Sequence, residues 1–350
     1  MNEKICIVGA FDFVNMPTGG QPVKTREFYY AMCNEYGEEN IRYIDTYGWK
    51  KHIFSKIFGL FKNARDCHIF IMLPAHNGVK VFSRLLLFFK QKYKTQIFYD
   101  VIGGWLDEAV KANPTLGQSL KLFDGIWVET NSMHSALVKL GFNNVDIVPN
   151  FKKRRILDRA ELNFDYSFPL RVCTFSRVCR QKGIGEAICT VSEINSTAGR
   201  SVFALDIYGP IDGEYETEFK NLIKNSGGCV EYKGIASPTD NCDILKQYFA
   251  VLFPTRFYTE GIPGTLVDAY AAGTPVISSL WKNCGDVFAD GETGWGYEFY
   301  DKDGLKKTML KAAKNPETFL KMRSSCVTAA EKYSRDNAMR IINRLIEKEG

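Results

Sequence analysis

The chain alternates between short runs that are apolar on both faces and longer stretches whose apolar residues recur at helical spacing. Lys4 to Ala10 (KICIVGA) is the first such run and predicts a strand buried on both faces, as the centre of a parallel sheet requires. A polar loop, FDFVNMPTGG, follows, and then a helix from about Gln21 to Tyr36. Further strands are predicted at Asn40–Ile44, His68–Leu73, Thr95–Ile102, Gly125–Thr130 and Val145–Val148, mostly with helical patterns between them. The pattern restarts with strands at Leu170–Phe175, Phe203–Tyr208, Cys229–Tyr232, Ala250–Pro254 and Thr274–Ser278. Between the two series lies NFKKRRILDRAELNFDYSFP, a charged stretch with no strand pattern, read as a linker. A last helix, from about Ser334 to Lys348, carries Ala338, Ile341, Ile342 and Leu345 at helical spacing. This alternation predicts an α/β protein of two Rossmann-like, doubly wound parallel-sheet domains facing a cleft, residues 1–155 and 165–333. Ligands are expected at the carboxyl ends of the strands.

Length supports two domains, since 350 residues exceed the size at which single cores usually stop growing. A net charge of +5 is too mild to argue for a nucleic-acid partner. The ten cysteines show no CxxC and many sit in apolar runs such as Ile5-Cys6-Ile7, so buried reduced thiols of a cytoplasmic protein are expected. Met1 to Lys4 leads into only six apolar or small residues, so no secretory signal is expected. No run approaches the roughly 20 apolar residues of a membrane span. With only four histidines, neither a metal nor another cofactor is expected.

The densest chemistry lies between Phe253 and Ser278, FPTRFYTEGIPGTLVDAYAAGTPVIS, which reads as strand, acidic Gly/Pro loop, short helix, Gly stop and strand. Gly261 and Gly264 let backbone approach a ligand, and Pro263 is placed to open a helix. That helix end is an anion site. Glu260 in the loop and Asp268 on the helix add acceptors for hydroxyl hydrogens. Phosphate on a helix end with hydroxyls on carboxylates describes a nucleotide sugar. A plain αβ unit with a solvated Glu is the alternative. Upstream, the strand RVCTF is followed by Ser176-Arg177-Val178-Cys179-Arg180-Gln181-Lys182-Gly183, whose cations suit a departing diphosphate.

These two segments resemble the donor-site signature of retaining glycosyltransferases of the GT-B fold, the family-4-like group (glycosyl transferases group 1). There two Glu are separated by seven residues and an Arg–(x4)–Lys-Gly pattern follows the first strand of the second domain. The second Glu is Asp268 here. The resemblance implies catalytic roles for Glu260, on the donor sugar hydroxyls, and for Arg177 and Lys182, on the diphosphate. It places Asp268 on the ribose and the donor near Gly261, Ile262, Gly264 and Thr265. It adds the Gly209 turn, the backbone of Gly234 and Ile235 at the nucleobase, and the pair Gly19 and Gly20. Arg180 takes no role from it.

On the acceptor side, Lys24 and Arg26 meet an acceptor phosphate or are exposed helix cations. His76 and Asn77 follow a strand on the ligand side, binding substrate hydroxyls or standing merely as loop residues. Relatives carry His-Gly at the end of the fourth strand. Here Tyr99-Asp100-Val101-Ile102-Gly103-Gly104-Trp105 has no histidine, so sugar contacts fall to the glycine backbone, Asp100 or Asp107. The last helix is expected to return to the first domain.

The implied function is a retaining, metal-independent hexosyltransferase. It takes a nucleoside-diphosphate sugar, a UDP-sugar before a GDP-sugar, to a glycan or polyprenyl-diphosphate-linked saccharide in bacterial polysaccharide assembly. A degenerate partner subunit that binds nucleotide sugar, or an epimerase of similar fold, stays open. Two basic segments lack any acidic residue: Trp49–Arg65, rich in aromatics, and Lys80–Lys94. The first suits a helix at an anionic membrane, the inner face of the plasma membrane, and the second a helix packed on the sheet.

Overall fold

The computed structural model describes residues 4–16, 20–48, 53–151, 153–237 and 239–348. It divides into two compact units, Met1–Lys153 with Tyr333–Gly350, and Arg154–Lys332. In chain order the first unit holds β1 (Ile5–Gly9), α1 (Gly20–Tyr36), β2 (Ile41–Asp45), α2 (Ile53–Ala64), β3 (Ile69–Met72) and α3 (Asn77–Tyr93). It continues with β4 (Gln96–Asp100), α4 (Leu106–Ala112), α5 (Pro114–Leu120), β5 (Gly125–Val128), α6 (Asn131–Lys139) and β6 (Val145–Ile147). The second unit comprises β7 (Leu170–Phe175), α7 (Ile184–Ala198), β8 (Phe203–Tyr208), α8 (Glu216–Lys224), β9 (Val230–Gly234), α9 (Asn241–Leu245) and β10 (Ala250–Phe253). It ends with α10 (Gly264–Ala271), β11 (Val276–Leu280), β12 (Gly294–Glu298), α11 (Gly304–Lys314), α12 (Pro316–Leu320) and α13 (Arg323–Glu331). The last helix, α14 (Arg335–Lys348), belongs to the first unit.

The first sheet has the order β2-β1-β3-β4-β5-β6 and the second β12-β11-β10-β7-β8-β9, with every pairing parallel. Each is doubly wound, reversing between β1 and β3 in the first unit and between β7 and β10 in the second. In this topology the carboxyl ends at the reversal form the ligand crevice.

The doubly apolar strands have a simple cause. Ile5, Ile7, Ile69 and Ile71 pack with Phe28 and Met32 of α1 and with Ala338, Ile342, Leu345 and Ile346 of α14. The alternate residues Cys6, Val8, Phe70 and Met72 pack on the other face with Leu60 of α2 and with Phe82, Leu86 and Phe89 of α3. Helices therefore cover both faces, and α14 supplies part of the cover that α1 alone leaves open. All ten cysteines are free thiols, six of them buried and Cys189 exposed. Among the described residues no helix is long and apolar enough to cross a membrane.

Two expectations change. β12 was invisible to strand patterning because its sequence is Gly-Trp-Gly-Tyr-Glu, and glycine is depleted in strands. Gly294 pairs with Val276 at φ 154°, where an added Cβ would lie 1.8 Å from the Val276 carbonyl oxygen. The charged stretch read as a linker instead joins the second unit from Arg154 onward. Leu157 is buried and its amide donates to the Ala271 carbonyl at 2.7 Å. The charges around it, Arg155 with Glu161 and Asp243, are solvent-facing partners of one another.

Candidate functional site

In the second unit the loops leaving β7 and β10 close on each other at the sheet's reversal. The Arg256 amide donates to the Gln181 carbonyl at 2.8 Å. Gly183, at φ 69°, admits the Pro254 carbonyl where a Cβ would stand 1.9 Å from its oxygen, so only glycine fits. Gly209, at φ 132°, meets the Ser176 carbonyl in the same way, and its amide donates to Gly234 at 2.9 Å. The Thr265 hydroxyl donates to the Phe175 carbonyl at 2.7 Å, tying the first turn of α10 to the end of β7. Arg177, Lys182, Gly209, Gly234, Glu260 and Thr265 are thus gathered at one edge of one sheet.

Within this edge Lys182 donates from Nζ to Glu260 Oε1, a direct ion pair across 78 residues of sequence. Thr255 Oγ1 donates to the same carboxylate oxygen at 3.1 Å. Glu260 is 8% exposed, while the Lys182 side chain remains 18% exposed and touched by water. Arg177 is exposed, and its guanidinium has no ion-pair partner among the described residues. Arg180 points elsewhere, donating to Glu218 from Nε at 2.9 Å. Gly261 and Ile262 are buried in the loop, Ile235 is exposed, and Gly264 opens α10 behind Pro263 with no side-chain cap. The Leu266 and Val267 amides donate to the Pro263 carbonyl at 3.1 and 3.4 Å, and the Gly264 and Thr265 amides before them have no carbonyl of their own helix to reach, as at any helix start.

Asp268 is occupied differently from expectation. Its Oδ1 accepts from Arg154 Nε at 2.9 Å and its Oδ2 from Asn241 Nδ2 at 3.1 Å, and it is 6% exposed. The carboxylate therefore clamps Arg154, at the start of the unit, to α10 and α9. Any ribose contact would have to be shared with these bonds. Thr255, Arg154 and Asn241 were not foreseen, since nothing in local spacing marks a partner so distant in sequence.

The first unit places its candidates at the carboxyl edge of its own sheet. Lys24 is not an exposed helix cation: its Nζ lies 3.0 Å from Asp100 Oδ1 and 3.0 Å from Glu129 Oε1, and all three residues are buried. Burial works against the Lys24 charge, but Asp100 and Glu129 outweigh it and hold the ammonium above its ordinary range. Burial pushes the Asp100 carboxyl up to about 6, with Lys24 opposing and Glu129 adding to the rise. Arg26 is buried too, donating from Nη1 to the Phe11 carbonyl at 2.6 Å. His76 is exposed and packs on Trp105, ring centroids 4.6 Å apart, and Asn77 opens α3. Gly103 turns at φ 87°, Gly104 is buried, and Asp107 is a buried residue 3.5 Å from Lys111. Gly20 begins α1, while Gly19 lies outside the described residues. Among the described residues no group of three or more His, Cys, Asp and Glu could hold a metal ion.

Comparison with known proteins bears on this site. Residues 163–333 match the family model of glycosyl transferases group 1. Over 147 residues, 41% of this chain and 36% of the relative, the chain is 24% identical to the amylovoran biosynthesis glycosyltransferase AmsK of Erwinia amylovora. Over 182 residues, 50% of this chain and 43% of the relative, it is 25% identical to the putative colanic acid biosynthesis glycosyltransferase WcaL of Salmonella typhimurium. The matches span less than half the length of either relative. Among solved structures, HepE of Anabaena in complex with UDP superposes with a TM-score of 0.76 at 11% identity, covering 99% of this chain and 100% of that one. Sucrose-phosphate synthase of Thermosynechococcus elongatus superposes with a TM-score of 0.76 at 14% identity, covering 99% and 98%. At such identities the structural likeness shows the fold, two Rossmann-like units of the GT-B type.

Proposed function

From the match of residues 163–333 to the family model of glycosyl transferases group 1, we propose that the protein moves a hexosyl unit from a nucleoside-diphosphate sugar to a saccharide hydroxyl. The donor is a UDP-sugar before a GDP-sugar, in keeping with the UDP and UDP-glucose bound by the HepE structures. The acceptor is a glycan or a polyprenyl-diphosphate-linked saccharide at the inner face of the plasma membrane. The task is polysaccharide assembly, in keeping with relatives named for the biosynthesis of amylovoran and of colanic acid.

The observation that carries this reading is the Lys182–Glu260 pair, joining the two loops beside the start of α10. A cation and a carboxylate already in contact suit a ligand that offers each a better partner. The diphosphate draws Lys182 and exposed Arg177, with the amides of Gly264 and Thr265, and Glu260 is released to the sugar hydroxyls. As the bond from the anomeric carbon to the diphosphate breaks, the acceptor oxygen bonds that carbon on the same face, with retention. The acceptor proton passes to the departing phosphate oxygen, so no separate general base is required. The cations stabilise charge that grows as the bond breaks, where electrostatic preorganisation is most effective. Asp268 accepts from the ribose while it also holds Arg154 and Asn241. No metal ion is assigned a part.

A thermal-shift screen with UDP-, GDP- and ADP-sugars tests the donor class. A donor at a hundred times its dissociation constant adds about 2.7 kcal/mol to the folded state. Slow release of UDP or GDP from the stabilising sugar nucleotide without acceptor marks an enzyme. Stabilisation with no release under any condition would replace this reading with a nucleotide-sugar-binding partner subunit.

A further inference from the structure

We propose that α2 and α3 of the first unit together form a docking surface for an anionic lipid bilayer. From Gly48 to Arg65 and from Pro74 to Tyr99 the sequence contains no Asp or Glu, in a chain that carries 40 of them. The structure sets these two acid-free segments side by side: the Phe61 ring lies 6.2 Å from Phe88 and 5.0 Å from Phe89. The inner faces are already spent on the sheet, with Leu60, Phe82, Leu86 and Phe89 all at most 1% exposed. Yet Phe58 is 73% exposed, Phe61 38% and Phe88 47%. Phe61 and Phe88 lean on Phe89, and the exposed surface of the three rings is what this packing leaves over.

Cations flank these rings. Lys80, Arg84, Phe88 and Lys92 recur every four residues along α3, and all are exposed. Lys92 lies over the Phe88 ring at 5.7 Å. Lys62 follows Phe61 directly, and both Lys62 and Arg65 are exposed. Asp66 ends the first acid-free run, and Asp124 is held by Lys90 at 2.7 Å. Exposed aromatics flanked by cations match the headgroup boundary, where rings insert and lysines stay with phosphates. A protein partner fits less well, since the cores of such interfaces are depleted in charge and in lysine. The side chains of residues 53–57 lie outside the description, and the surface rests on the residues named. Leu60 belongs to the core, and Phe58 and Phe61 with Phe88 of α3 are what remain outside.

The surface gives purpose to the lipid-linked acceptor and in that respect rests on the reading above, but its test is separate. The full chain would be co-sedimented with vesicles of phosphatidylcholine containing a quarter phosphatidylglycerol, and with phosphatidylcholine alone, at rising salt. Binding is expected to the anionic vesicles only. It should be lost toward about 1 M salt, where the screening length falls to about 3 Å. Each cation at the surface is worth about fivefold in affinity, so the pair Lys80→Glu and Arg84→Glu should weaken binding by more than tenfold. Phe58→Ser with Phe88→Ser should do likewise, and a circular-dichroism melt checks that these exposed changes leave the fold intact. Release of UDP from UDP-glucose by the variants should match the wild type. Absence of wild-type binding to anionic vesicles at low salt, equal binding to neutral vesicles, or wild-type binding by both folded variants would overturn the proposal. Vesicle binding without UDP release would leave the surface standing and remove the transferase reading.

Discussion

Replacing Lys182 with Ala should weaken diphosphate affinity and replacing Glu260 with Gln should not, although the two side chains are bonded to each other. On the proposed function Lys182→Ala removes a charge-assisted bond to the phosphates, which costs about 1.5–3 kcal/mol, or roughly 10- to 150-fold in UDP affinity. It also leaves the Glu260 carboxylate without its cation near the incoming diphosphate, so the larger end of that range is expected. Glu260→Gln keeps the shape but loosens its hold on Lys182. The Lys182 side chain is 18% exposed and that of Glu260 11%, so water screens the pair and the release is worth about 1 kcal/mol at most. UDP should therefore bind Glu260→Gln as tightly as the wild type, or up to about fivefold more tightly. Turnover of UDP-glucose should fall on the order of a hundredfold or more, because a preorganised contact at the reacting sugar is lost. Calorimetry with UDP, and with uridine as the uncharged control, separates binding from the turnover assay. Uridine affinity should be unchanged in both variants. If Glu260→Gln weakens UDP as much as Lys182→Ala does, the partner exchange is wrong. If its turnover stays near normal, Glu260 is not at the sugar.

Arg154→Met should cost the second unit about 3–5 kcal/mol in denaturant unfolding, since it strands the buried Asp268 carboxylate, whereas a wild-type midpoint would show that the clamp is dispensable. Gly183→Ala should lower stability by about 1–3 kcal/mol and abolish measurable UDP binding, because the added methyl meets the Pro254 carbonyl and spreads the loops that hold Lys182 and Glu260; calorimetry and a melt check both. For Asp100, a folded value of about 6 against an ordinary 3.8 means that the neutral form is favoured by folding. Its contribution is present at the acid end and is lost as pH rises through about 6, so the stability difference between wild type and Asp100→Asn should shift steadily between about pH 4 and 6 and level off above. A flat difference in melts across that window would refute it. Deleting residues 335–348 should expose Phe28 and Met32 and destabilise the first unit by several kcal/mol, while UDP binding by the second unit survives; hydrogen exchange on β1 and β3 reads the loss.

The fold was legible where one physical cause acts on every residue of an element. β1, β3 and β10 are buried along their whole length, so their sequences are apolar on both faces and announce a covered parallel sheet. β12 escaped because glycine at 294 and 296 makes room for Val276 and Leu280, a need set by the neighbouring strand and not by its own. The segment from Arg154 to Leu162 escaped for the converse reason. Its charges satisfy one another at the surface and mask Leu157, the residue that anchors it to α10. In the site, the loops carrying Arg177, Lys182 and Glu260 were marked by their own Gly and Pro punctuation. Their pairing was not, because partners 78 residues apart leave no trace in spacing.

The same blindness made Lys182 and Lys24 look alike, each a lysine near a carboxyl edge with a phosphate to meet, and burial separates them. Lys24 is 5% exposed between Asp100 and Glu129, themselves nearly sealed. Parting such a buried pair strands a charge away from water and costs about 3–5 kcal/mol, more than one phosphate contact returns. Lys182 has one carboxylate partner and still touches solvent, so its bond can be exchanged at little cost. Lys24 therefore holds α1 to the ends of β4 and β5, and Asp100 is held with it. Lys24→Met tests the distinction. It should destabilise the first unit by about 3–5 kcal/mol without changing the affinity of the second for UDP. A stable variant that loses only acceptor affinity would return Lys24 to substrate binding.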